Sequence, residues 1–306
     1  MLVIAGESLV LTTRSADRPE VAHTSASGAP AIAAWVAARL GAPTVFLSAV
    51  GDDEHGRLIA STLADAGVDP TRLVIRPGRP TARAAVEYRP DGSRRFDFAV
   101  ADSAAPTLDV VDLADWPERA RWVHVSGSAV LFGDPMAVAV EQLVARGRAA
   151  GATVSVDPNL RAELADADAR ARLSRLCRQA HVLFPSDDEL GELGLDEKEL
   201  VAAGVTVCTT AAAAGARLAR PDLAEVSIPA IARPDQVVDP DGAGDTFAGA
   251  TIAALLAGLA WEEAVGAASA VVARAISVPG PMTVDLSPAD LARPSLERSG
   301  GGRDDT

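Results

Sequence analysis

The sequence predicts a doubly wound α/β fold, in which helices cover both faces of a mostly parallel β-sheet. Apolar runs of strand length alternate along the chain with longer segments of helical periodicity. Short buried runs between amphipathic helices are typical of a parallel sheet that is covered on both faces. The chain has 306 residues, of which 48% are hydrophobic. That is enough for one large α/β domain, or two small ones, with a sizeable core.

The predicted strands and helices follow one another in regular order. The apolar runs predict strands at Leu2–Ala5, Val45–Val50, Trp122–Val125, Thr153–Val156, Val182–Phe184 and Val205–Cys208. The segments between them predict helices at Ala31–Leu40, Arg57–Ala66, Pro135–Ala150 and Ala169–Ala180. A long run of small apolar residues predicts a further helix over Ala248–Ala260.

One region interrupts this order and predicts a small β-sheet. Thr81–Arg89 and Arg94–Phe98 have strand-like composition, and the intervening Pro90–Ser93 is a turn sequence. Paired with chain from Leu9–Thr24, this hairpin predicts a β lid, discontinuous in sequence, from about residues 9–24 and 81–100. A lid over the sheet edge would keep water from a reactive phosphate. An ordinary edge hairpin is the alternative that the pattern leaves open.

The C-terminal residues 292–306 are predicted to be a disordered tail, because Arg298–Thr306 contains no apolar side chain. The predicted α/β domain is therefore 1–291.

The charge balance and the cysteines argue against several classes of partner and site. The formal net charge of −14 would repel nucleic acid and anionic membranes. We find no basic-flanked leader, and the apolar runs are shorter than the roughly 20 residues that span a bilayer. Cys177 and Cys208 match no metal-binding spacing and are too few for a disulfide framework. We therefore predict a cytoplasmic protein with neither nucleic acid nor membrane as a partner.

The most informative segment is Val237–Ala250, in which a Gly-Ala-Gly-Asp turn leads into the predicted helix. The first amides of a helix lack intrahelical partners, and glycines there let an anion such as phosphate approach them. The Asp245 carboxylate beside that phosphate could accept the proton of an alcohol, which suits phosphoryl transfer. Alone, the motif fits equally well a helix start that uses glycine for close packing and Asp245 as a dipole partner.

Further motifs accompany this turn, and together they occur along the chain in a characteristic order. They are Gly6-Glu7, Ser27–Ala31 with Ala37–Gly41, Val50–Gly56 with Ala66–Asp69, His124–Gly127, Asp157–Arg161 and Asp239–Ala250. In this order the chain resembles the ribokinase-like, or PfkB, carbohydrate kinases from Gly6 to about Ala275. The last motif is the most specific signature of that family.

The resemblance implies a ribokinase-like fold, ATP and Mg²⁺ as cofactors, and a sugar whose primary hydroxyl points at Asp245, the catalytic base. It also implies that the amides of Gly242, Ala243 and Gly244 form an anion hole. The other implied site residues are Gly28, Asn159 and Arg161 for the sugar, Ser186, Thr210 and Gly215 for the nucleotide, Glu189 for Mg²⁺ through water, and Asp239 for a monovalent cation such as K⁺.

Several positions depart from the family pattern. On the sugar side, Leu11 and Ile32 stand where many members have a hydrogen-bonding Asp and Asn. On the nucleotide side, Ser186 stands where Asn is usual, and Ala212 replaces a glycine. A Cβ at that glycine position disfavours a positive φ or crowds the phosphates. Because an unpaired buried hydroxyl costs about 1–3 kcal/mol, these changes predict altered substrate choice or loss of tight binding.

Taken together, these observations predict an ATP-dependent sugar kinase whose substrate is fructose-like or another keto sugar. Two alternatives stay open: a non-catalytic sugar- or nucleotide-binding regulator of the same fold, and a kinase for a nucleoside. A strand-rich lid that pairs with its twin across a two-fold axis predicts a homodimer.

Overall fold

The computed structural model describes residues 1–15, 18–88, 94–161 and 164–292. The strands are β1 Leu2–Ala5, β2 Leu9–Ser15, β3 Arg18–Ser27, β4 Thr44–Gly51, β5 Leu73–Arg76, β6 Arg83–Tyr88, β7 Arg94–Ala99, β8 Trp122–Ser126, β9 Thr153–Asp157, β10 Val182–Leu183, β11 Thr206–Thr210, β12 Ala216–Arg220 and β13 Leu223–Ile228. The helices are α1 Ala29–Arg39, α2 Glu54–Asp65, α3 Trp116–Arg119, α4 Ser128–Leu131, α5 Met136–Ala149, α6 Ala167–Arg178, α7 Glu189–Glu192, α8 Glu197–Ala202, α9 Ala243–Leu256 and α10 Trp261–Ala275. The predicted turn at Pro90–Ser93 lies outside the described residues, and so does the predicted tail after residue 292.

The main sheet has the order β13-β12-β11-β10-β9-β8-β1-β4-β5. The strands from β11 to β5 pair in parallel, whereas β12 and β13 pair antiparallel at one edge. Successive residues of a strand point to opposite faces, so Leu2 and Ile4 enter one core while Val3 and Ala5 enter the other. Burial on both faces explains why these strands are continuously apolar, and it confirms the predicted doubly wound α/β class.

The second sheet has the order β3-β2-β6-β7. Strands β6 and β7 form the antiparallel hairpin, and β2 pairs in parallel with β6. The Asp53 carboxylate, which also caps α2 through the amide of Gly56 at 2.8 Å, accepts hydrogen bonds from the amide and the hydroxyl of Thr81 at 2.8 and 2.6 Å. Thr81 lies just before β6, so this carboxylate joins the hairpin to the main body.

Helices α1 and α9 lie side by side on one face of the main sheet. A Cβ added at Gly249 of α9 would lie 2.5 Å from the carbonyl oxygen of Ala33 in α1, so only glycine allows this approach. The small side chains of both helices bring their starts together at the same edge of the sheet. This packing positions the beginning of α9. No helix in the described part of the chain is long and apolar enough to span a membrane.

Candidate active site

A cavity of about 920 Å³ opens where β9, β10 and β11 end and α9 begins. Its volume is typical of small-molecule and cofactor sites, which measure roughly 300–1,000 Å³. Open α/β sheets bind ligands at this carboxyl-terminal edge of their strands. The predicted site residues that line the cavity are Asn159, Arg161, Ser186, Glu189, Thr210, Gly215, Gly242, Ala243, Gly244 and Asp245.

The start of α9 presents bare amides to the cavity. Gly242 caps the helix with a φ of 78°, a left-handed conformation that favours glycine, and the side chain of Ile32 packs against it. The amide of Ala243 donates to the carbonyl of Pro240 at 3.3 Å. Among the hydrogen bonds of the described residues, none uses the amide of Gly242 or Gly244. These amides and the positive end of the helix dipole together suit an anion.

Asp245 lies in the first turn of α9 and is only 8% exposed. Burial raises the pKa of Asp245 to about 6, while the positive charge of Arg161 acts in the opposite direction. The side-chain amide of Asn159 donates to Oδ1 of Asp245 at 3.2 Å. Asn159 has a φ of 41°, a left-handed conformation that asparagine adopts more readily than most residues. Asp245 is therefore held in one orientation and is more basic than an ordinary carboxylate.

Two further carboxyl groups, those of Asp157 and Glu189, are buried near Asp245. Asp157, the last residue of β9, accepts a hydrogen bond from the amide of Asn159 at 3.0 Å. Burial raises the pKa of Asp157 well above its usual range, and the negative charges of Asp245 and Glu189 raise it further. Arg161 lowers the pKa of both aspartates. This concentration of negative charge favours the approach of a cation.

Glu189 uses both carboxylate oxygens within the protein. Oε1 accepts from the amide of Leu160 at 2.6 Å, and Oε2 accepts from the amide and the hydroxyl of Ser186 at 2.9 and 3.2 Å. Across the described ranges, no three His, Cys, Asp or Glu side chains are grouped to hold a metal ion. A Mg²⁺ ion at this position would contact Glu189 through water, because both carboxylate oxygens already accept hydrogen bonds and Mg²⁺ usually keeps several of its waters.

The other end of the cavity is bounded by the loop 211–215 between β11 and β12. Gly215 has a φ of 94°, and a Cβ there would lie 2.1 Å from the carbonyl oxygen of Ile228. Ala212 has a φ of 43°, a left-handed conformation that costs an L-residue about 1–2 kcal/mol. Apolar side chains also line the cavity: Ile231, Val237, Val272 and Ile276. The cavity thus has an anion site at one end and an apolar wall at the other.

Two predicted site residues, Gly28 and Asp239, are not among the described residues that line the cavity. Gly28 caps α1 with a φ of 111° and packs against the carbonyl oxygen of Glu7. The carboxylate of Asp239 accepts the amides of Asp241 and Gly280, each at 3.0 Å. These hydrogen bonds to Asp239 stabilise the loop that precedes α9.

Sequence reasoning gave Glu7 no role beyond its place in a motif. Its side chain is 2% exposed, and its Oε1 accepts a hydrogen bond from the hydroxyl of Ser128 at 2.7 Å. Burial raises the pKa of Glu7 to about 7. The available signal was its position directly after a buried parallel strand, at the edge of the sheet where ligands bind.

Comparison with known families and sequences gives one consistent result. Residues 4–288 match the family described as pfkB family carbohydrate kinase. Fructokinase-1 from Oryza sativa subsp. japonica is 38% identical over 176 residues, which cover 56% of this chain and 54% of the rice protein. The chain therefore matches about half the length of that relative.

Solved structures are similar over nearly the whole chain. The putative ribokinase II from E. coli, in complex with ATP and Mg²⁺, has a TM-score of 0.86 and 29% identity, with 95% of this chain and 97% of that chain covered. A double mutant of fructokinase from Vibrio cholerae O395, with fructose, ADP and a potassium ion bound, has a TM-score of 0.81 and 28% identity, with 95% and 96% covered.

Proposed function

Since this chain belongs to the pfkB family of carbohydrate kinases, we propose that it transfers the terminal phosphoryl group of ATP to the primary hydroxyl of a fructose-like or other keto sugar. The observation that carries the proposal is the position of Asp245, a buried carboxylate beside the bare amides of Gly242 and Gly244 in one cavity. A base next to an anion site is the arrangement that phosphoryl transfer to an alcohol requires.

In the proposed reaction, Asp245 accepts the proton of the sugar hydroxyl while the hydroxyl oxygen forms a bond to the γ-phosphorus. The bond between this phosphorus and the bridging oxygen breaks, and ADP leaves with that oxygen. With a pKa of about 6, Asp245 is largely ionised at pH 7 yet more basic than an exposed aspartate. The hydrogen bond from Asn159 orients the carboxylate toward the substrate.

Charge on the transferring group is stabilised by the start of α9. The amides of Gly242 and Gly244, with Ala243 between them, face the cavity, and Arg161 adds a full positive charge at its wall. Because the transition state is loose, this stabilisation and the alignment of the two substrates contribute more than the strength of the base.

The proposed nucleotide site is the remainder of the cavity, with Ser186, Thr210 and Gly215 near the phosphates and the apolar wall near the base. Mg²⁺ bound with ATP would neutralise phosphate charge, and Glu189 would hold it through water. Asp239 is proposed to support a monovalent cation. The E. coli structure with ATP and Mg²⁺ and the Vibrio cholerae structure with potassium support these assignments.

We also propose that the small sheet of residues 9–24 and 81–100 acts as the lid, and that this lid joins two copies of the chain. The proposal is supported by a contact near the cavity: the imidazole of His23 lies against Gly280, whose amide donates to Asp239 in the loop before α9. Light scattering that finds only a monomer of 31.3 kDa at working concentration would contradict the dimer.

The test is the release of ADP from Mg·ATP with K⁺ present, measured on ketoses, aldoses, keto-deoxy acids and nucleosides. We expect turnover with a keto sugar that Asp245→Asn reduces by about 10²–10⁴-fold. The matched control is Asp65→Asn, the same change on the exposed side of α2, which should leave turnover unchanged. Turnover only with a nucleoside would correct the substrate class. Sugar binding without turnover would support the non-catalytic regulator.

A further inference from the structure

We propose that Glu7 is a specificity-determining residue, whose carboxyl group forms a hydrogen bond with one sugar hydroxyl and selects sugars that carry it. This inference rests on the proposed function, because it places Glu7 in the same substrate site. It goes beyond the base, the anion hole and the nucleotide loop, which recognise the reacting groups, and beyond Gly28, Asn159 and Arg161, the residues implied for the sugar.

The first observation is an unsatisfied oxygen. Glu7 follows β1 by two residues and is 2% exposed. Oε1 accepts the hydroxyl of Ser128, whereas Oε2 is buried and makes no hydrogen bond with the described residues. A buried carboxyl oxygen without a partner costs stability, so native proteins rarely keep one without a reason. A ligand hydroxyl that binds when the site is filled supplies such a reason.

The second observation is the position of Glu7 near the site. The charges of Asp245 and Arg161, which both line the cavity, act on the Glu7 carboxyl group, Asp245 raising its pKa and Arg161 lowering it. Gly28, the residue implied for sugar binding, packs directly on the carbonyl oxygen of Glu7. Glu7 is not itself among the described residues that line the cavity, but its carboxyl group lies near the cavity residues Asp245 and Arg161, and its backbone lies next to Gly28.

The third observation is the apolar cluster on one face of the small sheet. Cross-strand neighbours Leu11, Ala84 and Phe98 lie on one face of the small sheet. Phe132, which follows the short helix that begins with Ser128, packs against the same apolar cluster. Leu11 stands where the family resemblance implies an aspartate, and the polar side chains paired beside it on this face, Ser25 and Ser27, are hydroxyls and not carboxylates. A carboxyl group at the end of β1 supplies the missing partner from the opposite side.

The test measures kcat/KM of wild type and of Glu7 variants on the sugar that the wild-type enzyme phosphorylates best and on deoxy analogues of that sugar. A site built around a hydroxyl rejects the analogue that lacks it, so wild type should lose about 10²-fold or more in kcat/KM on one analogue. In Glu7→Ala that discrimination should fall to within about threefold, because the partner is already missing. The KM for ATP should stay unchanged. An equal loss on every sugar and analogue would show a purely structural residue and overturn the inference.

Two further variants keep the test decisive. Glu7→Gln has the same shape and should fold even where the alanine variant does not, and it should still weaken discrimination at the same hydroxyl. Glu262→Ala, an exposed carboxylate in the first turn of α10, is the control and should leave discrimination intact.

Failure of the proposed function would be visible separately, as wild type that turns over no sugar. Calorimetry of sugar binding would then test the role of Glu7 directly. If the affinity for the sugar depends on one hydroxyl in wild type but not in Glu7→Ala, the inference holds even though the protein does not phosphorylate the sugar. If wild type binds no sugar, the inference is wrong.

Discussion

At the scale of single residues, Asp245 combines two opposing properties. Burial makes its carboxylate more basic, and the same burial makes the ionised form costly to the folded chain. The hydrogen bond from Asn159 and the charge of Arg161 offset only part of that cost. A group whose pKa is shifted in this direction by its surroundings is typical of a functional site.

The first prediction is the pH dependence of catalysis. A base with a pKa of about 6 is lost by protonation as the pH falls below that value. The kcat/KM for the sugar, measured at saturating Mg·ATP, should fall about tenfold per pH unit below about pH 6. A flat profile between pH 8 and pH 5 would show that Asp245 does not titrate in the catalytic step.

The second prediction concerns stability. The pKa of Asp245 is higher in the folded chain than the ordinary 3.8, so folding favours the protonated form. The stability that this preference contributes is present at low pH and is lost as the pH rises through about 6. Asp245→Asn should therefore raise the free energy of unfolding at pH 8 by about 1–3 kcal/mol while it removes activity. Chemical denaturation at pH 8 and pH 4 checks this, and a gain of equal size at both pH values would contradict it.

The third prediction tests the bare amides at the start of α9. A Cβ at Gly244 would meet no atom within 4 Å, and its φ lies outside the left-handed region. Gly244→Ala should fold and gain about 0.5–1 kcal/mol from helix propensity, but its methyl group would occupy the proposed anion site. We expect a tenfold or larger loss in kcat/KM for ATP.

Gly266 supplies the matched control for that experiment. It lies in α10, is helical, and also has open space where a Cβ would stand. Gly266→Ala should gain similar stability and keep full activity. If both variants keep full activity, no phosphate approaches Gly244.

At the scale of elements, the loop between β11 and β12 has a left-handed backbone conformation at Ala212, where glycine would be favoured. Ala212 keeps a φ of 43°. The substitution noted in the sequence therefore affects the energy of this loop and leaves its left-handed geometry in place.

The fourth prediction follows from that strain. Ala212→Gly relieves about 1–2 kcal/mol at a left-handed position and loses about 0.5–1 kcal/mol through the unfolded chain. The net gain in unfolding free energy should be about 0.5–1 kcal/mol, with a KM for ATP that is equal or lower. The neighbouring Ala213→Gly has no positive φ to relieve and should destabilise the protein. Thermal unfolding of both variants checks this prediction. A change in stability of the same sign in both variants would contradict it.

The elements themselves differ in how far the sequence predicted them. The strand at Leu2–Ala5 has the predicted bounds, because its apolar run ends at glycine. The first helix begins at Ala29, two residues before the apolar pattern suggested, since Gly28 and Pro30 start it through backbone geometry. Strand β13 forms the exposed edge of the main sheet and β12 lies beside it, and both mix charged with apolar residues, so they were not predicted.

At the scale of the whole molecule, the site depends on contacts between distant segments. The motif at Asp245 could be predicted because its residues are contiguous. Its contact with Asn159, 86 positions away, and the position of Glu7 beside Ser128 depend on strand order, which apolar runs do not specify. The cytoplasmic location and the homodimer stay predictions.

The central claim is that Asp245 is the base for phosphoryl transfer from ATP to a sugar hydroxyl. The most direct measurement is phosphorus NMR of ATP, Mg²⁺ and fructose mixed with wild type and with Asp245→Asn. We predict a phosphomonoester on the primary carbon of the sugar with wild type, formed about 10²–10⁴-fold more slowly by the variant. Equal rates of ester formation by the two proteins would contradict the claim.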